Sequence, residues 1–307
     1  MAVRQRPSRQ VVSMANGIAR WDGADALTAL KEIGADWAPV MEPIHRPNGE
    51  SIAGKLSVVN PVANKVLGIT SDSYGGLHNQ MLSEGIDRLA TAIGLPYRMS
   101  RAEMFNDGAT VRLEAILGDS IKLGDSDTVY KVVSAFQGHG GNTPFTFLVE
   151  FKRLVCSNGL MIKIPGLNTA FRCKHTQNGA ARVEWNFGLI QSSFAQATGD
   201  TEKAFRLFSE KSLSGVGARE FFRQYASSVL KQKDEKLDQT VSDLLLTWVN
   251  GRQQMAGDTM WRAFNALTEY NQHYGFRTDE AMLLSNLDGS AANAKVDAFN
   301  FTLAMAA

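Results

Sequence analysis

The sequence predicts an α+β fold, an antiparallel β-sheet with a covering helix followed by a mostly helical C-terminal region. Three observations predict it. Several runs between residues 53 and 191 alternate apolar and polar side chains, the period of a half-buried strand. One amphipathic stretch interrupts those runs, and its apolar residues recur at helical spacing. From residue 192 onward nearly every segment repeats apolar residues at i, i+3 and i+4. The resulting order β-β-α-β-β-β is that of an antiparallel sheet with a helix laid on one face.

Three zones follow from this pattern. The first, 1–52, is an N-terminal arm and a short helix, "DALTALKEIG", with Leu27, Leu30 and Ile33 on one side. Trp37, Pro39, Val40 and Ile44 then read as an extended segment before the turn "RPNGE". The second zone, 53–191, is an α+β core. "GKLSVVNPVANKVLGITSDSYGG" gives two short strands around Asn60-Pro61. "LHNQMLSEGIDRLATAIG" is its helix, with Leu77, Met81, Ile86, Leu89 and Ile93 on the apolar side and Gly94 as the stop. "TVRLEAIL", "TVYKVVSAF", "FTFLVEFKRLVC" and "LMIKI" follow as strands, and "AARVEWNFGLI" fits either a strand or the entry to a helix. The third zone, 192–307, holds helices at "TEKAFRLFSEKSL", "AREFFRQYASSVLKQ", "LDQTVSDLLLTWVNGR" and "DTMWRAFNALTEYNQHYGF", with a weaker one at "AANAKVDAFNFTLAMAA".

The formal net charge of +1 over 307 residues does not by itself announce a nucleic-acid binder, but the charge is segregated. Residues 1–20 carry Arg4, Arg6, Arg9 and Arg20 and no acid. Residues 130–185 carry Lys131, Lys152, Arg153, Lys163, Arg172, Lys174 and Arg182 against Glu150 and Glu184. Such a basic zone points to an anionic partner. Only two cysteines, Cys156 and Cys173, are present, which fits a reducing compartment. No apolar run reaches 18 residues, so no membrane span and no membrane partner are expected, and the expected location is cytoplasmic.

Catalytic patterns are absent. There is no GxxxxGK[ST], GxSxG or HExxH, and "GHGGN" at 138–142 lies between two strands, where it reads as a hairpin loop. Cys156, Cys173, His139 and His175 include no CxxC pair, and a Cys156–His175 nucleophile pair lacks an orienting acid. Asp119, Asp125 and Asp127 match no calcium loop and read as turn residues. The expectation is therefore no enzyme, no catalytic residue, no metal site and no cofactor.

The basic strands are more informative. In a regular strand Phe145, Phe147, Val149, Phe151 and Arg153 share one face, while Thr146, Leu148, Glu150, Lys152 and Leu154 share the other. Together with Lys131, Lys163, Arg172, Lys174, His175 and Arg182, these cations are the candidate nucleic-acid-binding residues. Single strands are held by such a cationic rim with aromatic rings stacking on bases. Solvated positions on an ordinary sheet are the competing reading.

Three ordered blocks carry a resemblance: "RLVCSNGL" (153–160), "RCKHTQN" (172–178) and "TMWRAFNALTEYNQH" (259–273), with "DSYGGLHNQ" (72–80) ahead of them. They resemble the signature blocks of phage and plasmid-like proteins that form a large family of unknown function. Leu154 stands where that pattern has valine and Gly159 where it has threonine. The phage setting and the strand order are similar to single-strand annealing recombinases, the phage type and the ring-forming eukaryotic recombination mediator. What the resemblance implies is an ATP-independent single-stranded DNA-binding and annealing protein in a bacterial host cell, its protomers side by side in a ring or filament. The alternative is a non-catalytic phage or plasmid interaction protein that binds a host protein. Cys156 reads as a core residue before a Ser-Asn-Gly turn. Trp261, Asn265, Tyr270 and His273 share one helix side, as either a site or a buried cluster.

Overall fold

A computed structural model describes residues 23–123, 127–141, 143–153, 161–164, 170–176, 179–250, 257–273, 285–286 and 289–307, with backbone alone at 161, 170 and 180–191. The fold is α+β with antiparallel sheets, strands early in the chain and helices late. Helix α1 (Ala26–Glu32) is capped by Asp25, whose Oδ1 accepts from the Thr28 amide at 2.6 Å. Strands β1 (Val40–His45), β2 (Ser51–Asn60) and β3 (Lys65–Ser71) then form a three-stranded antiparallel sheet. Helix α2 (Gln80–Ile93) follows and ends at Gly94, whose φ of 69° is the left-handed C-terminal cap that glycine accommodates.

The seven-stranded sheet begins with β4 (Tyr97–Phe105) and β5 (Thr110–Leu117), and continues with β6 (Ile121–Leu123), β7 (Asp127–Gly138) and β8 (Phe145–Arg153). It closes with β9 (Met161–Lys163) and β10 (Ala170–Cys173). The order is β10-β8-β7-β5-β4, with β6 extending β5's side of β7 and β9 extending β10's side of β8. Strand β4 has no clean alternation because Arg98, Ser100, Arg101 and Glu103 crowd it, and its register shifts between Met99 and Arg101. That irregularity hides it in the sequence. "AARVEWNFGLI" is helical, part of the 32-residue α3 (Gly179–Glu210). Helices α4 (Gly215–Ser228), α5 (Asp234–Asn250), α6 (Met260–His273) and α7 (Ser290–Ala306) follow among the described residues. The zone limits at 52 and 191 fall inside β2 and α3.

One face of the large sheet is the main core. Val111, Leu113 and Ala115 of β5, Val133 and Ala135 of β7, and Phe145, Phe147, Val149 and Phe151 of β8 are all buried on it. Each large side chain withdrawn from water contributes on the order of 1.5–3 kcal/mol. Helix α2 lies so close that a Cβ on Gly85 would stand 2.1 Å from Phe147 Cζ. Phe205 of α3 joins the helical half to the sheet, its ring 5.3 Å from Phe151, 4.9 Å from Trp261 and 5.9 Å from Phe299.

The small sheet stands at one end of the large one. Asn60 Nδ2 donates to the Asp107 carbonyl at 2.8 Å, and the Gly68 backbone comes so near Gly140 that a Cβ would meet its Cα at 2.7 Å. Most of this small sheet is exposed, including Val40, Ile52, Val62, Val66 and Ile69.

Candidate functional site

Strand register sorts the predicted cations by face. Lys152 pairs with Tyr130, Lys163 with Glu150 and Arg172 with Thr146, which puts Lys152, Lys163 and Arg172 on the face opposite the phenylalanine core. Lys174 continues the alternation just past the end of β10. Arg172 and Lys174 are exposed and Lys163 is half-buried. Strands β9 and β10 lie in line along the outer side of β8, so these three cations follow one sheet edge. At about 3.4 Å per residue, Lys163 and Arg172 are roughly 14 Å apart along it, and Lys174 is roughly 7 Å further.

Lys152 and Arg153 do not line an open groove. Lys152 is 7% exposed, and its ammonium is paired with Glu114, which also binds Arg112. Arg112 reaches Glu103 at 3.0 Å, and the Ser100 hydroxyl donates to Glu114 at 2.9 Å. Burial alone would raise the Glu114 carboxyl, but Lys152 and Arg112 overcome it and hold Glu114 well below the usual carboxylate range. Burial lowers the Lys152 ammonium, opposed by Glu114. The same row holds Glu150, which accepts from the Ser134 hydroxyl at 3.0 Å, and Lys295 of α7, whose fully buried Nζ has no hydrogen-bond partner. Burial pulls Lys295 down to about 7 against the opposing pull of Glu150, and burial pushes Glu150 up.

Arg153 points the other way, as strand alternation requires. Its Nε lies 2.6 Å from both carboxylate oxygens of Asp127. Trp261 Nε1 donates to the same Asp127 at 2.7 Å. Asp127 is thus not a turn residue but the acceptor that joins α6 to the sheet. Trp261 and Asn265 are buried, and Asn265 Nδ2 donates to the Trp261 carbonyl, so the shared helix side is core at those two positions. Lys131 is half-buried on the phenylalanine face. Arg182 belongs to α3, where only its backbone is described. Cys156 lies outside the described residues. Cys173 is buried, with Sγ 3.3 Å from the Lys174 and Gly179 carbonyls.

His175, the eighth predicted residue, belongs to a second arrangement at the end of the sheet nearest the small sheet. The β7–β8 loop brings His139 to it, with ring centroids 5.9 Å apart. Tyr74 stacks on His175 at 5.2 Å, and Trp37 lies 5.1 Å from His139. Asn79 Oδ1 accepts from Gln137 Nε2 at 2.7 Å and lies 2.9 Å from His139 Nε2. Because that carbonyl oxygen can only accept, His139 carries its proton on Nε2 and leaves a lone pair on Nδ1. His139 Nδ1, Asn79 Nδ2, Gln137 Oε1, Tyr74 Oη and Trp37 Nε1 are buried without a hydrogen-bond partner, and of the two ring nitrogens of His175 one faces the Thr143 backbone while the other has no partner. Burial lowers His139 to about 3, with His175 adding to the effect, and burial lowers His175 to about 4. Both imidazoles are neutral at physiological pH. Among the described residues no group of three or more His, Cys, Asp or Glu is placed to hold a metal ion.

A family model described as a domain of unknown function (DUF932) matches residues 66–293. The chain belongs to the DUF932 family. No curated protein and no solved structure matches it. The DUF932 match takes in Tyr74, Asn79, Gln137, His139 and His175 and leaves out Trp37, which lies upstream between α1 and β1 and whose carbonyl accepts from the Asn79 amide. No helix among the described residues is long and apolar enough to cross a membrane.

Sequence reasoning put His175 among the cations and weighed His139 with it only as a metal ligand, without Trp37, Tyr74, Asn79 or Gln137. Tyr74 and Asn79 sit in the "DSYGGLHNQ" block and His139 in the glycine loop, so the blocks named their segments without showing that they converge. Lys295 had a legible signal. Ala291, Ala292, Ala298 and Phe299 stand three and four residues to either side of it and are all buried, which puts a lone lysine in the middle of an apolar helix face.

Proposed function

We propose that the protein binds single-stranded DNA without ATP and anneals complementary strands, as a phage or plasmid recombination factor acting in a bacterial cytoplasm. The observation that carries this reading is the edge formed by β9 and β10. Lys163, Arg172 and Lys174 follow one another on one face there, and the edge ends at a cluster of aromatic and imidazole rings. A row of cations acts on phosphates whatever the sequence, while rings accept bases. Lys152 and Arg112 contribute differently, by holding Glu114 ionised and fixing the strands beneath that edge.

Assembly into a ring or filament belongs to the same proposal. The small sheet exposes Val40, Ile52, Val62, Val66 and Ile69 and ends in β1 and β3 as its outer strands. A sheet of this kind gains by pairing with another chain. A second copy is the occupant proposed here, whereas a non-catalytic interaction protein would place a host protein on the same surface. Light scattering after size-exclusion chromatography separates the two, since a second copy gives a multimer of the purified chain alone.

The activity is tested with two complementary labelled oligonucleotides and no nucleotide triphosphate. The expected result is energy transfer between the labels that develops at least tenfold faster with protein than without it. An unchanged annealing rate at micromolar protein and low salt overturns the reading.

A further inference from the structure

We propose that Trp37, Tyr74, Asn79, Gln137, His139 and His175 form a binding site for one unstacked nucleobase of the bound strand. This rests on the single-strand reading and adds to it a base-holding site, distinct from the phosphate-holding edge.

The case begins with unmet hydrogen bonding. Asn79, Gln137 and His139 are fully buried and His175 is 7% exposed, yet each has a polar atom without a partner. A buried polar group left unsatisfied costs about 1–3 kcal/mol, so such groups normally meet a partner that the folded chain alone does not supply. The free groups alternate in type. Trp37 Nε1 and Asn79 Nδ2 donate, and Gln137 Oε1, the His139 Nδ1 lone pair and the His175 nitrogen turned away from the Thr143 backbone accept. Mixed donors and acceptors on a planar frame are what the edges of a base present.

Charge argues against phosphate in this place. Both imidazoles are uncharged at neutral pH, and Lys174, the neighbouring cation, is exposed beside His175 rather than inside the cluster. The rings complete the match. Tyr74 lies nearly parallel to His175, 17° between planes, and Trp37 lies beside His139 at a 44° tilt, so aromatic surfaces border the polar atoms. Because Arg172 and Lys174 directly precede His175, a strand with its phosphates on that edge has one base within reach of the cluster. Bases elsewhere along the strand stay free for pairing.

The test compares a labelled oligothymidine with an oligomer of equal length whose bases are replaced by abasic sites, by fluorescence anisotropy. Wild type is expected to prefer the base-bearing strand at least tenfold. Tyr74→Phe keeps its ring and removes only the O–H, so its thermal melting by circular dichroism is expected to match wild type, while Trp37→Phe removes the N–H together with part of a buried indole and is assayed at a temperature where the same melt shows it folded. Each is expected to cut the preference threefold or more without changing the salt dependence. Equal affinity for both oligomers, with a normal salt dependence, overturns the base site and leaves the phosphate edge standing. An undiminished preference in both folded variants also overturns it. No binding to either oligomer overturns the single-strand reading itself.

Discussion

Trp261 Nε1 donates to Asp127 Oδ2 at 2.7 Å across 134 positions of sequence, and the same carboxylate holds Arg153. One buried acid therefore satisfies a strand cation and a helix donor together. Asp127→Ala leaves the Arg153 guanidinium buried and unpaired, which is expected to cost about 3–5 kcal/mol. Trp261→Phe removes this hydrogen bond to a charged acceptor together with part of a buried indole packed on Phe205 and Phe264, and is expected to cost about 3 kcal/mol or more. Urea denaturation measures both, and losses under about 1 kcal/mol contradict the linkage.

Some cations on the sheet build the fold, and others stand exposed at its edge. Glu114→Gln leaves Arg112 and Lys152 without their shared carboxylate and is expected to destabilise by about 3–5 kcal/mol. Lys174→Ala, at an exposed position, is expected to change stability by no more than about 0.5 kcal/mol while weakening single-strand binding. Melting curves and anisotropy on the same two variants check the division.

Two buried imidazoles make stability depend on pH in a defined direction. His139 and His175 have folded values of about 3 and 4, below the ordinary 6.5. In the window between these values the unfolded chain takes up protons that the folded chain refuses, so stability rises with pH and is lost as pH falls below 6.5. The slope for two such groups is at most about 2.7 kcal/mol per pH unit. A His175→Gln variant is expected to lose about half of this contribution, read from denaturation at pH 5 and pH 7.

Lys295 runs against a lowered value in a different window. Its folded value of about 7 lies below the ordinary 10.5, so its burial penalty is greatest below pH 7 and disappears as pH rises toward 10.5. Glu150, Lys152 and Lys163 are the charges around it. Lys295→Met is expected to stabilise the protein by roughly 1–4 kcal/mol at pH 6, and by clearly less at pH 10. An equal effect at both pH values contradicts a buried ionisable lysine.

How much of this was legible depended on whether a residue's role was periodic. Phe145, Phe147, Val149 and Phe151 announced β8 and its core face, and Gly94 announced the end of α2, because pattern and cap are local. Alternation also told correctly that Lys152 and Arg153 point to opposite faces. It could not tell that each meets an acid, since Glu114 and Asp127 arrive from other strands through register. Strand β4 escaped for a related reason, because Ser100 and Glu103 reach the buried row around Glu114 and Arg112 while Arg98 on the same strand is exposed. The imidazole cluster was least legible, since Trp37, Tyr74, His139 and His175 come from four separate segments joined only by tertiary folding.

The central claim is that the β9–β10 edge holds the phosphates of a single strand. Its most direct test is the affinity for a labelled single-stranded oligonucleotide across a salt series, for wild type and for a variant carrying Arg172→Ala and Lys174→Ala. Three cations on the edge predict a logarithmic salt slope of about −2, falling to about −1 or shallower in the variant. Absence of binding at micromolar protein and low salt, or a slope the two substitutions leave unchanged, contradicts the account.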